Sequence, residues 1–214
     1  MTNEIELKYQ VLDTNKKNAY IAEKISALLS EQNMTFEENQ NHLANQYFDN
    51  NELDLRKMDF GLRIRTTNNQ YEQTIKTAGI VKNGLHQRPE YNIDIPKNKL
   101  DLLLFPHKIW PKNLNIAALM KSLKVIFSTD FHRHSWLISH NGSVIELALD
   151  TGKISTSLSD STQIINEIEI ELVSGNEKEL FVIAKKLMNI VAMKPSDLSK
   201  AKRGYELFKE AMNK

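Results

Sequence analysis

The chain has no cysteine among its 214 residues. That excludes a disulfide framework, a thiolate metal site and a thiol nucleophile. It also has no surplus of charge: 28 Lys and Arg stand against 27 Asp and Glu, a formal net charge of +1. Such a balance gives no long-range attraction to nucleic acid or to an anionic membrane surface, so a polyanion has to meet a local cluster of cations. There is no apolar run of the ~18 residues that a membrane-spanning helix needs. No apolar stretch follows the first Met, so no signal peptide is expected, and the default is a soluble, cytoplasmic protein. The apolar fraction, 41%, is slightly low but sufficient for a core, and the length suits one large domain or one domain with an appendage.

What the sequence does have is alternation. In Glu4-Ile5-Glu6-Leu7-Lys8, a strand would place Glu4, Glu6 and Lys8 on one face and Ile5, Leu7 and Tyr9 on the other. Two like charges side by side cost energy unless a cation lies between them. Alone, the stretch suits a solvated strand face as well as a metal site, so its meaning depends on recurrence. It does recur. Arg63 and Arg65 alternate with Leu62 and Ile64. Glu72, Thr74 and Lys76 share a face, and so do Arg88, Glu90, Asn92 and Asp94. Glu146 and Asp150 lie opposite Ile145, Leu147 and Leu149, and Glu167, Glu169 and Glu171 lie opposite Ile168, Ile170 and Leu172.

The spacing predicts strands over Met1–Leu12, His86–Ile95, Val125–His140, Ser143–Thr151 and Thr162–Val173, with shorter ones over 61–66 and 70–77. Phe36–Asp49 is polar and ambiguous, though its end reads as a strand. Asn68-Asn69 suits a tight turn, and Asn141-Gly142 is the strongest hairpin signal. Helices are predicted from a cap at Asp13 or Thr14 to about Ser30, over Asn176–Met193 and over Ser199–Met212, with a short helical turn or loop in 51–59. Residues 98–122 read as short helices broken by Pro106 and Pro111.

About seven alternating segments are the right number for a small closed barrel, which leaves no sheet edge. Amphipathic helices need an apolar surface, so the expectation is an apolar exterior under helices and a charged lumen. The helices and the absence of a leader argue against a membrane barrel. Charge inside a tunnel is costly unless it pairs or binds something. Mutual salt bridges are one solution. The other is a polyanion clamped by Lys8, Arg63, Arg65, Lys76, Arg88 and Arg133, with carboxylates holding Mg²⁺ or Mn²⁺ against it.

In this order the segments resemble the CYTH superfamily, the triphosphate tunnel metalloenzymes. The resemblance is carried by Glu4-Ile5-Glu6-Leu7-Lys8 (the ExExK pattern), Gly61-Leu62-Arg63-Ile64-Arg65, the Lys76 strand, Leu85-His86-Gln87-Arg88-Pro89-Glu90-Tyr91 and Phe127-Ser128-Thr129-Asp130-Phe131. It continues through Ile145-Glu146-Leu147-Ala148-Leu149-Asp150, Glu167-Ile168-Glu169-Ile170-Glu171-Leu172 and Leu198-Ser199-Lys200-Ala201-Lys202-Arg203-Gly204-Tyr205. The wording is most similar to bacterial inorganic triphosphatases. Many of those add a C-terminal helical domain rich in histidine. This chain stops one helix past the barrel, so a single tunnel domain over 1–214 is expected, with its last helix at about 199–213.

The resemblance implies an α+β fold: an eight-stranded antiparallel β-barrel open as a tunnel, with helices packed outside. It implies metal-dependent hydrolysis of inorganic triphosphate, with Glu4, Glu6, Lys8 and Lys200 catalytic. Lys8, Arg63, Arg65, Lys76, Arg88, Arg133, Lys200 and Arg203 would bind substrate. Glu4, Glu6, Glu169 and Glu171 would hold Mg²⁺ or Mn²⁺, with Glu90, Glu146 and Asp150 as further acidic lining. Other chemistries of the superfamily, an adenylyl cyclase or a thiamine triphosphatase acting on an organic triphosphate, stay open, as does a non-catalytic polyphosphate-binding module. No nucleic acid or membrane is expected as a partner. His132 and His134 share a face opposite to Arg133 and so point out of the tunnel if Arg133 points in. His86 suits a hydrogen bond at the tunnel mouth. Trp110, Trp136, Met188 and Met193 read as packing residues.

Overall fold

The computed structural model describes residues 2–12 and 18–213; the expected cap at Asp13 or Thr14 lies outside them. Eight antiparallel strands close into a ring. In order around it they are β1 (Thr2–Val11), β9 (Ser159–Ser174), β8 (Ser143–Thr156), β7 (Lys124–His140), β2 (Thr35–Asp49), β3 (Gly61–Thr67), β4 (Gln70–Lys76) and β6 (Leu85–Ile95), which pairs back onto β1. Two short strands extend the ring: β5 (Ile80–Lys82) pairs with β6, and β10 (Met193–Pro195) with the end of β1. The fold is the expected α+β barrel.

The alternation decides which face is which. Leu7, Leu62, Ile75, Tyr91, Leu147, Ile168 and Ile170 point outward and are buried beneath helices. Helix α1 (Asn18–Glu31) covers β7 and β8 with Ile21, Ile25 and Leu29, and α4 (Lys178–Met188) adds Leu180, Ile183 and Leu187. Two short helices, α2 (Asp54–Lys57) and α3 (Ile116–Ser122), pack with two 3-10 turns over the opposite wall around Leu55, Trp110 and Leu119. Helix α5 (Lys200–Met212) lies across one end of the barrel. There Tyr205, Leu207 and Phe208 meet Phe127, Phe131, Ile154 and Ile165. Gly204 makes that approach possible, because a Cβ at this position would lie 2.2 Å from the Phe127 ring.

Asp49 ties this end together. It has no exposure and accepts from the backbone N–H groups of Asn50 (2.8 Å), Leu55 (3.0 Å) and Arg56 (3.0 Å) and from the Tyr205 hydroxyl (2.9 Å). The Asn141-Gly142 and Asn68-Asn69 turns adopt the expected positive φ: 48° and 73°, and 50° and 62°.

Some elements differ from expectation. All of Thr35–Asp49 is a strand, paired along its length with β7; its first half is mostly polar and exposed, apart from Phe36, which packs half-buried against the core. The β8–β9 hairpin continues to Thr156 and Ser159, beyond the expected strand ends. Helix α4 stops at Met188 rather than Met193. Val191 is buried in the core, and Met193–Pro195 pairs with Tyr9–Val11, where β1 has passed the end of β6. Met188 is exposed rather than a core filler, while Met193 packs half-buried against the core. Trp110 and Trp136 are packing residues, the latter donating to Ser26 Oγ at 2.9 Å.

Candidate active site in the barrel lumen

The inward faces enclose a cavity of about 240 Å³. Strand register dictates which charges meet. Glu6 stands opposite Glu171 and Lys8 opposite Glu169 across the β1–β9 seam. Glu4 stands opposite Arg88, and Lys76 opposite Glu90. Arg63, Arg65, Glu72, Arg133, Glu146 and, from the start of α5, Lys200 complete the charged lining. Ser199 caps α5 by accepting from the Lys202 backbone N–H at 3.1 Å, which directs Lys200 into the lumen.

Two sets of three carboxylates converge, each with oxygens within 4.8 Å of one another: Glu4, Glu6 and Glu171, and Asp150, Glu167 and Glu169. They differ in what neutralises them. The Lys200 ammonium occupies the second set, donating to Glu167 (2.5 Å), Asp150 (2.6 Å) and Glu169 (3.0 Å). Lys8 reaches Glu169, and the Arg133 guanidinium grips Asp150 through Nε (2.8 Å) and Nη2 (2.7 Å). Burial would push Glu169 up, but Lys200, Lys8 and Arg133 together hold it well below the usual carboxylate range.

In the first set, Glu6 and Glu171 are short of positive charge. Burial, with Glu4 and Glu169 nearby, pushes Glu6 up to about 7 even though Lys8 donates to it at 2.8 Å. Burial and the charges of Glu4 and Glu6 push Glu171 up to about 8. Glu4 goes the other way: burial is outweighed by Lys76, Lys8 and Arg88, which hold it low. Glu6 Oε1 and Glu4 Oε2 are buried and accept no hydrogen bond.

Across the cavity, Arg65 is short of negative charge, whereas burial of Arg63 is outweighed by Tyr47, Glu90 and Glu72, which hold it up. Arg63 has Glu90 at 3.7 Å and a buried Nε with no hydrogen-bond partner. Arg65 donates to the neutral Asn45 Oδ1 at 3.0 Å. Burial and the cations Arg63 and Arg133 pull Arg65 down to about 10. The lumen therefore has one place, at Glu6 and Glu171, where positive charge does not offset burial, and another, at Arg65, where negative charge does not.

The barrel thus brings together Glu4, Glu6, Lys8, Arg63, Arg65, Lys76, Arg88, Glu90, Arg133, Glu146, Glu169, Glu171 and Lys200. Asp150 is fully buried behind the lining, holding Arg133 and Lys200. Arg203 lies outside the cavity, bonded to Glu167 and, at 3.0 Å, to the Ile164 carbonyl. His86 Nε2 donates to the Ser196 carbonyl at 3.1 Å; burial and the nearby Lys8 pull it down to about 4, so it is neutral. Sequence reasoning missed Tyr47, Phe131 and the role of Glu167. Glu167 shares the parity of Glu169 and Glu171, a signal that was readable. Tyr47 was hidden by the ambiguity of β2.

The CYTH domain family matches residues 2–205 of this chain. An inorganic triphosphatase of Haemophilus influenzae is 38% identical over 213 residues, 97% of this chain. The chain spans 55% of the length of that relative. Among solved structures, a putative adenylyl cyclase from Hippeastrum, described as having a dominant triphosphatase activity, superposes with a TM-score of 0.63 at 17% identity, covering 97% of this chain and 95% of the other. A putative adenylate cyclase from Bacillus halodurans gives 0.54 at 21% identity, covering 95% and 98%. At these identities the two structures speak for the fold.

Proposed function

Because the chain belongs to the CYTH domain family, we propose that it hydrolyses inorganic triphosphate to pyrophosphate and phosphate in the barrel lumen, with a divalent cation, Mg²⁺ or Mn²⁺. The observation that carries this reading is a paired imbalance in one cavity: the cations near Glu6 and Glu171 do not offset their burial, and the anions near Arg65 do not offset its burial. A metal–triphosphate complex supplies both charges. A polyphosphate binder would need the arginines but would gain nothing from under-neutralised carboxylates. The similarity to the Haemophilus inorganic triphosphatase supports the choice of substrate.

Glu4, Glu6 and Glu171 fit a hard divalent ion, since they offer only oxygen ligands and two of those oxygens are buried and accept no hydrogen bond. When bound, the ion would neutralise phosphate charge and acidify water. Asp150, Glu167 and Glu169 already hold the Lys200 ammonium and suit the role of positioning that lysine. Arg63 and Arg65 bind non-bridging oxygens through their planar forks. Lys76, Arg88 and Lys8 pass from their carboxylates to the phosphates as the anion enters. Arg133 and Lys200, fixed from behind by Asp150, stabilise the charge that builds on the transferred phosphoryl and the departing pyrophosphate. Water attacks phosphorus from the carboxylate edge, and its proton passes to a carboxylate oxygen of that set that the ion would leave free. The P–O bond to pyrophosphate breaks, and no covalent enzyme intermediate forms.

The test is to incubate the protein with tripolyphosphate, ATP and thiamine triphosphate, each with Mg²⁺, Mn²⁺ or chelator, following phosphate and cyclic AMP separately. Metal-dependent release from tripolyphosphate at the highest kcat/KM is expected. Equal or faster turnover of ATP or thiamine triphosphate would overturn the substrate assignment.

A further inference from the structure

Helix α5 meets strand β9 through a row of charges that leads from outside the cavity into the lumen. Lys200 and Arg203 lie three residues apart on α5, so they project from the same side of the helix. The Ser199 hydroxyl caps that helix, and the Ser199 carbonyl accepts from the Arg203 backbone N–H at 3.1 Å. Lys200 enters the lumen. Arg203 stays outside it and grips β9 at two points: Nη1 donates to the Ile164 carbonyl at 3.0 Å, and Nη2 donates to Glu167 Oε2. The other oxygen of that carboxylate, Oε1, accepts from the Lys200 ammonium at 2.5 Å. Glu167 is therefore shared, one oxygen to each cation.

We propose that Arg203 is a positioning residue, which sets the place of the Lys200 ammonium in the lumen by occupying the second oxygen of Glu167. The inference rests on the reading of Lys200 as a group that meets the phosphates. Three observations carry it. First, the row is shielded from water: the side chains of Arg203, Glu167 and Lys200 are 16%, 8% and 9% exposed, so these charges are screened far less than a surface pair. Second, Lys200 is held from behind and beside. Asp150 (2.6 Å) and Glu169 (3.0 Å) accept from it along with Glu167, the Phe131 ring centroid lies 4.9 Å from Nζ, and Lys200 itself lines the cavity. Third, no other cation relieves Glu167. Lys8 pairs with Glu169, and Arg133 with Asp150 and Glu169, whereas among the described residues Glu167 pairs with Lys200 and Arg203 alone.

Without Arg203, Glu167 would turn both oxygens and its whole charge on Lys200 and draw the ammonium away from the cavity. With Arg203 in place, that hold is divided. The ammonium can then lean toward a phosphoryl group as charge builds on it.

The test compares wild type, Arg203→Ala, Arg203→Lys, Glu167→Gln and the double variant Arg203→Ala with Glu167→Gln, each first checked for the circular dichroism of the wild type. With tripolyphosphate and Mg²⁺, Arg203→Ala should lower kcat about ten- to a hundredfold with KM little changed, as for a group misplaced in the transition state. Arg203→Lys, which keeps the charge and guards against a loss of fold, should recover most of the rate. In the Glu167→Gln background the removal of Arg203 should have little further effect. A second readout needs no turnover: the proton–nitrogen spectrum of the lysine ammonium groups, with the Lys200 signal assigned by its absence from Lys200→Arg. That signal should move in Arg203→Ala and return in Arg203→Lys. Full activity of Arg203→Ala, a loss confined to KM, a loss undiminished in the Glu167→Gln background, or an unmoved Lys200 signal would overturn the proposal. A wild type that releases no phosphate would overturn the proposed activity instead, and the ammonium spectrum would still decide the part played by Arg203.

Discussion

Gly204→Ala pits two effects of known size against each other. In an exposed helix the change is favourable by about 1 kcal/mol, because alanine loses less backbone entropy. Here the new methyl would stand 2.2, 2.3 and 2.6 Å from three carbons of the Phe127 ring, where ordinary contact is roughly 3.5–4.0 Å. One partner must retreat by more than an ångström. Phe127 cannot do so easily, since it is 1% exposed, stacked on Tyr47 at 4.5 Å and edge-on to Tyr205 at 5.4 Å. Overpacking of this kind costs about 1–3 kcal/mol or more, so the clash outweighs the propensity gain. Helix α5 should shift away from the barrel and carry Lys200 with it. We expect the urea midpoint followed by circular dichroism to fall by an amount equivalent to about 1–2 kcal/mol, with weaker activity on tripolyphosphate. A variant as stable as wild type, or more stable, would refute the claim that Gly204 is required by contact with the barrel end.

Further outcomes follow from the charged lumen and its supports. Arg63→Ala should raise KM for tripolyphosphate by about 10- to 150-fold, since charge-assisted hydrogen bonding of about 1.5–3 kcal/mol is lost; an unchanged KM in steady-state kinetics would remove Arg63 from the anion site. Without metal, the fold keeps protons on Glu6 to about 7 and on Glu171 to about 8, which the unfolded chain releases near 4.5. Stability should therefore fall as pH rises from about 4.5 and level off by about 8, and saturating Mg²⁺ should flatten that fall in thermal melts. His86 acts with the opposite sign: it stays neutral to about 4 in the fold against 6.5 in the free side chain, so its own contribution opposes that of the glutamates as pH falls from 6.5 to 4, and His86→Gln should gain more stability than wild type on acidification over that range. Asp49→Ala, which strips the partner from three backbone N–H groups and a tyrosine hydroxyl, should cost about 3–5 kcal/mol by denaturant titration, whereas Tyr205→Phe should cost only about 1.

The barrel and most of its lining were legible because a period of two is unambiguous when one face is charged and the other apolar. Glu4, Glu6, Arg63, Arg65, Glu169 and Glu171 could be assigned to a common face without knowing which strands were neighbours. The register was not legible. That Lys200 would sit in the Asp150–Glu167–Glu169 set, rather than among free cations, depends on the pairing of β8 with β9 and on where α5 starts. Asp150 belonged to the same alternating face as Glu146, yet it lies behind the lining because Arg133 and Lys200 fold over it. Polar residues such as Glu38 and Gln40 on β2 broke the pattern, which concealed Tyr47. The end of α4 was misjudged because β10 exists only through its pairing with β1, a contact between the two ends of the sequence.

The seam between β1 and β9 also sets an order of events in time. Lys8 and Glu169 are 161 residues apart in the chain, so the ring can close only after nearly all of it has been made and the intervening strands have zipped hairpin by hairpin. Until then β1 has no β9 to pair with, and Glu4 and Glu6 are not yet near Glu171. The proposed metal site therefore does not exist in any partly assembled form. An ion that selects the closed ring over every open intermediate would slow unfolding without speeding folding, so its imprint should be found in the lifetime of the native state.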